Sequence, residues 1–159
     1  MKMRKISKLL FIFIFLCAMQ SFGQNAIGLR LGQWGPDISF QTNKITPERI
    51  EADFGWSIVQ NWYNWNFTGL YQWVRPIVNN FYWQAGGGLG VSGWYYQHDP
   101  QLVKEKEGIA LYFILNGGAE YNFTEVPLQV SIDSRISPPL IPKGRFRIID
   151  LGVSVRYKF

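Results

Sequence analysis

Few residues of this chain could do acid–base or nucleophilic chemistry. His98 is the single histidine and Cys17 the single cysteine. One of each excludes a Cys/His zinc site and a disulfide framework. Acyl transfer needs Ser, His and an acid within hydrogen-bond reach of one another. His98 stands beside Asp99-Pro100, and Ser92 lies six residues earlier on a strand-like segment, so the spacing builds no such triad and His98 reads as an exposed loop residue. Gly88-Leu-Gly90-Val-Ser-Gly93 matches a dinucleotide fingerprint letter for letter. That fingerprint works only at a strand-to-helix turn with an acidic residue about 20 positions on. Here Trp94-Tyr95-Tyr96 follows without helical period, and the glycines read as the inner face of a tightly coiled strand. No cofactor, metal or catalytic residue is expected.

The remaining candidates are ionic. Arg30, Glu51, Asp53, Glu120, Asp133, Arg135, Asp150 and Arg156 occupy alternate positions among apolar neighbours. Such a set is either a polar conduit or a self-neutralising plug. Burying each charge alone would cost several kcal/mol, so three arginines and five carboxylates on facing strands are expected to pair. Arg30 and Arg156 are expected to salt-bridge carboxylates.

The elements that carry these residues are strands. Apolar and polar residues alternate with period two, and turn residues separate the segments. Ile27, Leu29 and Leu31 alternate with Gly28 and Arg30; Ile50, Ala52, Phe54 and Trp56 with Glu51, Asp53 and Gly55; Leu128, Val130 and Ile132 with Gln129, Ser131 and Asp133. The last segment sets Leu151, Val153, Val155, Tyr157 and Phe159 against Gly152, Ser154, Arg156 and Lys158. Eight such segments follow, the fourth being irregular because Leu70 and Val74 fall on its polar face. A strand of about ten residues, tilted near 40°, crosses the apolar band of an outer membrane.

A soluble eight-stranded barrel would have the same alternation turned inside out. The two faces decide between them. One carries the charges and many glycines, which suit the narrow interior of eight strands; the other is Ile, Leu, Val, Phe and Trp, which suit lipid. Trp34, Trp65, Trp73, Phe81, Tyr121, Phe123 and Tyr157 are placed for interfacial girdles. Asn61-Trp-Tyr-Asn-Trp-Asn-Phe67 could bind sugar by stacking and hydrogen bonding, but reads first as part of the aromatic belt. Short connections at Asn43–Arg49, Arg75–Asn80 and Thr124–Pro127 are expected on the periplasmic side, with Gln33–Asp37, Ile58–Asn64, Tyr95–Gly108 and Ser137–Arg145 outside.

Residues 1–23 read as a secretory signal peptide. Lys2, Arg4, Lys5 and Lys8 form the basic segment, Leu9 to Ala18 the apolar one, and Ser21 and Gly23 flank a cleavage site. The apolar run is about half of what a spanning helix needs. Without this segment the 16 basic residues fall to 12 against 11 acidic ones, and the formal charge of +5 falls to +1. Nucleic acid is therefore not an expected partner. Residues 24–159 read as one domain.

The closing Gly152-Val-Ser-Val-Arg-Tyr-Lys-Phe159, with Val153, Val155, Tyr157 and Phe159 alternating to a C-terminal phenylalanine, resembles the terminal signal read by the outer-membrane barrel assembly machinery. Ala26-Ile-Gly-Leu-Arg-Leu-Gly32, Gly69-Leu-Tyr-Gln-Trp73 and Gly117-Gly-Ala-Glu-Tyr-Asn-Phe123 likewise resemble the small outer-membrane β-barrel proteins of Gram-negative bacteria. The resemblance implies an all-β, eight-stranded, antiparallel up-and-down transmembrane barrel in contact with outer-membrane lipid. It implies no reaction. The expected role is structural, anchoring or interaction through outward loops whose partner the sequence does not name. Small-solute transport is the alternative, and a lipid A-modifying enzyme, as some such barrels are, a more distant one.

Overall fold

The computed structural model describes residues 25–45, 48–59, 62–96, 107–141 and 147–159. Residues 1–24, with the expected signal segment and Cys17, and residues 97–106, with His98 and the lysines of the third outward loop, lie outside the described residues. All regular structure among the described residues is strand: β1 (Asn25–Gly32), β2 (Gly35–Ile45), β3 (Glu48–Val59), β4 (Trp62–Val78), β5 (Phe81–Tyr96), β6 (Glu107–Asn122), β7 (Leu128–Ser137), β8 (Pro139–Ile141) and β9 (Arg147–Lys158).

Each strand pairs antiparallel with its neighbour, and the ring closes where β1 pairs with β9, from Ala26↔Lys158 to Gly32↔Gly152. Asn25 and Phe159 exchange both backbone hydrogen bonds at that seam, at 2.9 and 2.8 Å. The barrel has eight walls rather than nine, because β7 and β8 are one wall. Pro138 interrupts it, having no N–H to give, but its carbonyl still accepts from the Phe113 amide at 3.1 Å and the pairing with β6 resumes at Tyr112↔Pro139. Following paired residues once around the ring accumulates a stagger of about ten residues, which for eight strands inclines them by about 40°.

The strands run further than the sequence pattern indicated. Asp37 and Arg49, expected in connections, lie inside β2 and β3. Ile58, Val59 and Trp62 to Asn64 are strand, and β4 continues through Pro76 to Val78 across a local register shift. Hairpins β1–β2 and β4–β5 turn in two residues, Gln33-Trp34 and Asn79-Asn80. Asn79 has φ +48°, a left-handed conformation asparagine tolerates in such turns.

The interior is polar. Among the described residues twenty polar or charged side chains are buried against four apolar ones, Ala26, Leu70, Tyr112 and Ile114. The exterior is the reverse: Leu29, Leu31, Ile132, Leu151, Val153 and Val155 are each about half exposed. A soluble protein does not present so continuous an apolar surface. The irregularity in the fourth strand has a simple cause. Leu70 does sit on the inner face, where it packs with Tyr112 and Ile114 of β6 in a small apolar cluster inside the lumen.

Tight coiling depends on inner-face glycines. A Cβ on Gly88 would collide with the Gly69 carbonyl of the neighbouring strand, whereas a Cβ on Gly117, on the outer face, would meet nothing within 4 Å. Gly88→Val is therefore expected to prevent closure, and Gly117→Val to be tolerated. Refolding into detergent and comparing unheated with boiled samples on an SDS gel measures this: the fast-migrating folded band should disappear for the first variant and persist for the second.

Candidate functional site

Alternation directs every second side chain of each strand inward, and the stagger of the ring decides which of these meet. Arg30 of β1, 1% exposed, is surrounded by three carboxylates from three other strands. Its Nη2 lies 2.7 Å from Asp133 Oδ1, and its Nη1 lies 2.7 Å from Asp150 Oδ2 and 3.4 Å from Asp37 Oδ2. Asp150 also accepts the Gln33 backbone amide at 2.8 Å, which ties the β1–β2 turn to β9.

Asp133 passes the chain of pairs to Arg135, at 3.2 Å from Nε. Arg135 Nη2 lies 2.7 Å from Glu51 Oε1 and 2.8 Å from Asp53 Oδ2. Glu51 is shared with Arg156, whose Nη2 is 3.3 Å away, and accepts from Gln41 Nε2 at 2.5 Å. Arg156 donates in addition to Ser39 Oγ at 3.0 Å and Ser131 Oγ at 2.8 Å.

A second cluster lies toward the end that carries the chain termini. Arg49 Nη1 is 2.6 Å from Glu120 Oε2, Arg49 Nε donates to Gln72 Oε1 at 2.6 Å, and Nη2 donates to Gln84 Oε1. Gln72 Nε2 goes on to Asn116 Oδ1 at 2.8 Å. Each of these four guanidinium groups thus meets a carboxylate within 3.3 Å, and Arg49 and Arg156 donate further hydrogen bonds to the Gln72 and Gln84 amide oxygens and to the Ser39 and Ser131 hydroxyls. Pairing of this kind offsets part of the cost of burying the charges.

All eight charged positions singled out in the sequence point into the lumen. Seven of them join through Arg30, Arg135 and Arg156; Glu120 belongs to the second cluster. Arg49 and Asp37 are buried in the lumen as well, although both stand next to turn residues, where the local pattern indicates a connection. The signal that could have found them is register, since Arg49 is two residues from Glu51 and Asp37 two from Ser39, on the same faces. Ser92 also faces inward and is buried. In the Gly88–Gly93 stretch Gly90 lies against Tyr112 inside, while Gly93 lies under the Trp65 ring outside. The whole stretch is strand, with no helix after it. Among the described residues no group of three or more His, Cys, Asp or Glu side chains is arranged to hold a metal ion.

Among the described residues, inward side chains fill much of the lumen. Near the β1–β2 turn a cavity of about 30 Å³ remains, lined by Trp34, Asp37, Asn66, Tyr112 and Asp150 among others. It has room for about one water-sized group. On the outer surface aromatic side chains gather at two levels. Trp34, Trp56 and Trp65 ring one end of the apolar band, and Tyr71, Trp73, Phe81, Trp83, Phe123 and Tyr157 the other. Tyr121 is half-buried between Phe81 and Phe123, with ring centroids 4.7 and 4.8 Å away. Val153, Val155 and Tyr157 of the C-terminal strand all face outward.

No protein-family model matches the sequence, and no curated protein does. Solved structures do. The N-terminal β-barrel domain of Pseudomonas aeruginosa OprF superposes with a TM-score of 0.71 at 10% identity, covering 87% of this chain and 98% of that domain. Neisserial surface protein A (NspA) superposes with a TM-score of 0.57 at 12% identity, covering 86% and 95%. Both are eight-stranded outer-membrane β-barrels. At these identities the likeness concerns the fold, and it matches the closed eight-walled ring described above.

Removing one partner of a buried pair leaves an uncompensated charge, at a cost of about 3–5 kcal/mol. Arg30→Met should therefore destabilise the barrel by about that much, since three carboxylates lose their shared cation. For the isolated pair, Arg49→Gln should destabilise strongly, and adding Glu120→Gln should restore a measurable part of the loss. Urea unfolding in detergent, followed by tryptophan fluorescence, gives both differences.

Proposed function

We propose that this protein is an integral outer-membrane barrel without enzymatic activity. In this reading the barrel is an anchor, and the end opposite the chain termini makes its contacts outside the cell. The observation that carries the reading is the inverted burial: ions, amides and hydroxyls within, a belt of aliphatic residues between two aromatic levels without. Five outward positions from Ile149 to Tyr157 along β9 cover roughly 20 Å of height, about the apolar thickness of an outer membrane. The alternating Val153, Val155, Tyr157 and terminal Phe159 fit recognition by the barrel assembly machinery, and residues 1–23 fit export with cleavage after Gly23.

The occluded lumen weighs against the transport alternative. A solute larger than water would have to part the Arg30 and Arg135 clusters and the Leu70–Tyr112–Ile114 packing together. The absence of a nucleophile–base pair among the described inward residues weighs against lipid modification.

Two outcomes are expected. Fractionation should recover the chain from outer membranes and release it only with detergent; recovery as a soluble periplasmic protein would refute the reading. In planar bilayers the purified barrel should show no steady conductance, and Arg30→Ala combined with Arg135→Ala should introduce one in any fraction that still folds.

A further inference from the structure

The walls of the barrel differ in height. β4, β5 and β6 have 17, 16 and 16 residues, whereas β1, which stands across the ring from β5, has 8. Pairing from Arg30 through Asp37, Gly55 and Asn66 leads to Ser92, which lies roughly 12 Å higher, toward the end opposite the chain termini. Every outward position of β5 from Phe81 to Tyr95 is aliphatic, aromatic or glycine, and on a strand inclined about 40° this face rises roughly 35 Å. The apolar band of an outer membrane is about 25 Å tall. The β5 face overshoots the β1 side at both ends, roughly 10 Å above Trp34 and roughly 7 Å below Ile27. Its neighbours share the excess. Exposed Ile109 and Tyr95 stand above Trp65, and exposed Ile77, Val78 and Phe81 lie below Trp73. Tilting the barrel moves a wall up or down; it cannot shorten that wall at both ends.

The outer surface of this wall also complements itself. Register sets Gly69, Leu89 and Phe113 in one row, Tyr71, Gly87 and Leu115 in the next, and Trp73, Ala85 and Gly117 in a third. Each row climbs about 3 Å per strand, and two residues of β6 descend about 5 Å. Leu115 therefore stands level with Gly69, Gly117 with Tyr71, and Ala119 with Trp73, to within roughly 1 Å. At each of these levels a small residue on one flank matches a large one on the other. A Cβ on Gly69 or on Gly117 would meet nothing within 4 Å, so both positions are open hollows. A two-fold axis along the membrane normal, passing in front of β5, brings the β4 flank of one copy against the β6 flank of another. Leu115 then faces the hollow at Gly69 and Tyr71 the hollow at Gly117, each twice, as an isologous interface requires.

We propose that two copies of this barrel pair within the membrane through their β4–β6 walls. Lipid meets the excess height of a lone wall only by stretching its acyl chains along it, and association of two such walls relieves that mismatch. Small residues at the contact let the two backbones approach closely. The lower walls built from β1, β2 and β9 stay toward lipid, whose thickness their apolar faces match. The inference rests on the barrel spanning a membrane, and it adds an assembly to the anchoring role.

The test is cross-linking in vesicles. Cys17→Ser removes the single native cysteine from the full chain, and Leu89→Cys or Val153→Cys then places one thiol at the centre of the tall wall or on β9 across the ring. The folded variants are inserted into vesicles of dimyristoleoyl- or dierucoyl-phosphatidylcholine, a thin and a thick bilayer, and treated with a bismaleimide. In the thin bilayer Leu89→Cys should give at least fivefold more cross-linked dimer than Val153→Cys. In the thick bilayer its yield should fall at least threefold. Gly117→Trp fills a hollow from the outer face and should lower the Leu89→Cys yield in the thin bilayer at least threefold. Heat-modifiable migration on SDS gels certifies the fold of each variant, and flotation with the vesicles certifies insertion. Equal yields at the two cysteines, a yield indifferent to bilayer thickness, or one indifferent to Gly117→Trp would overturn the pairing alone. A folded chain that floats with neither vesicle would overturn the membrane reading and the pairing together.

Discussion

Hydrocarbon offers no hydrogen-bond partner, and every feature of this barrel answers to that constraint. A backbone amide left unpaired at the lipid face costs several kcal/mol, so the sheet has to close on itself. The seam between β1 and β9 does this, down to the reciprocal bonds of Asn25 and Phe159. Even where Pro138 breaks a wall, its carbonyl and the short β8 keep the edge of β6 paired. The same constraint sorts the side chains. Aliphatic residues lose nothing by facing lipid, while ions and amides must face inward and satisfy one another there.

Inward satisfaction is a matter of register. Arg30, Asp133 and Asp150 are more than a hundred residues apart at the extremes, yet they meet because a stagger of about ten residues brings β1, β7 and β9 to one level. A one-residue slip in any ladder would exchange the two faces of that strand, placing arginines in lipid and leucines in the lumen. The ion network and the apolar exterior thus specify the same register from opposite sides. The Leu70–Tyr112–Ile114 cluster adds a third element, filling space that two long polar side chains would fill less densely.

The sequence was legible wherever two-residue periodicity was strong. The alternation around Arg30, Asp133 and Arg156 announces both strand and face, and the charged residues read as inward do point inward. It was less legible at strand ends. Asp37 follows Gly35-Pro36, and Arg49 follows Thr46-Pro47-Glu48, so local turn chemistry masked two residues that register assigns to the same network. Leu70 breaks the pattern because a barrel interior is filled by volume as well as by polarity, and volume depends on the opposite wall, which no local window contains. The pairing of distant arginines with particular carboxylates was legible only as an expectation of neutrality. Which pairs form is decided by shear, a property of the closed ring.

The polar lumen has a consequence for biogenesis. Each of β1, β2, β3, β6, β7 and β9 carries at least one charge on its inner face, so apart from β4–β5 no hairpin of the barrel can enter a bilayer without carrying ions on its inner side. A lone hairpin would drag unpaired ions through the acyl chains, and the counter-ions it needs sit on hairpins far away in the chain. The polypeptide must therefore curl up with its ionic side still wet, and expel that water as the ring draws shut.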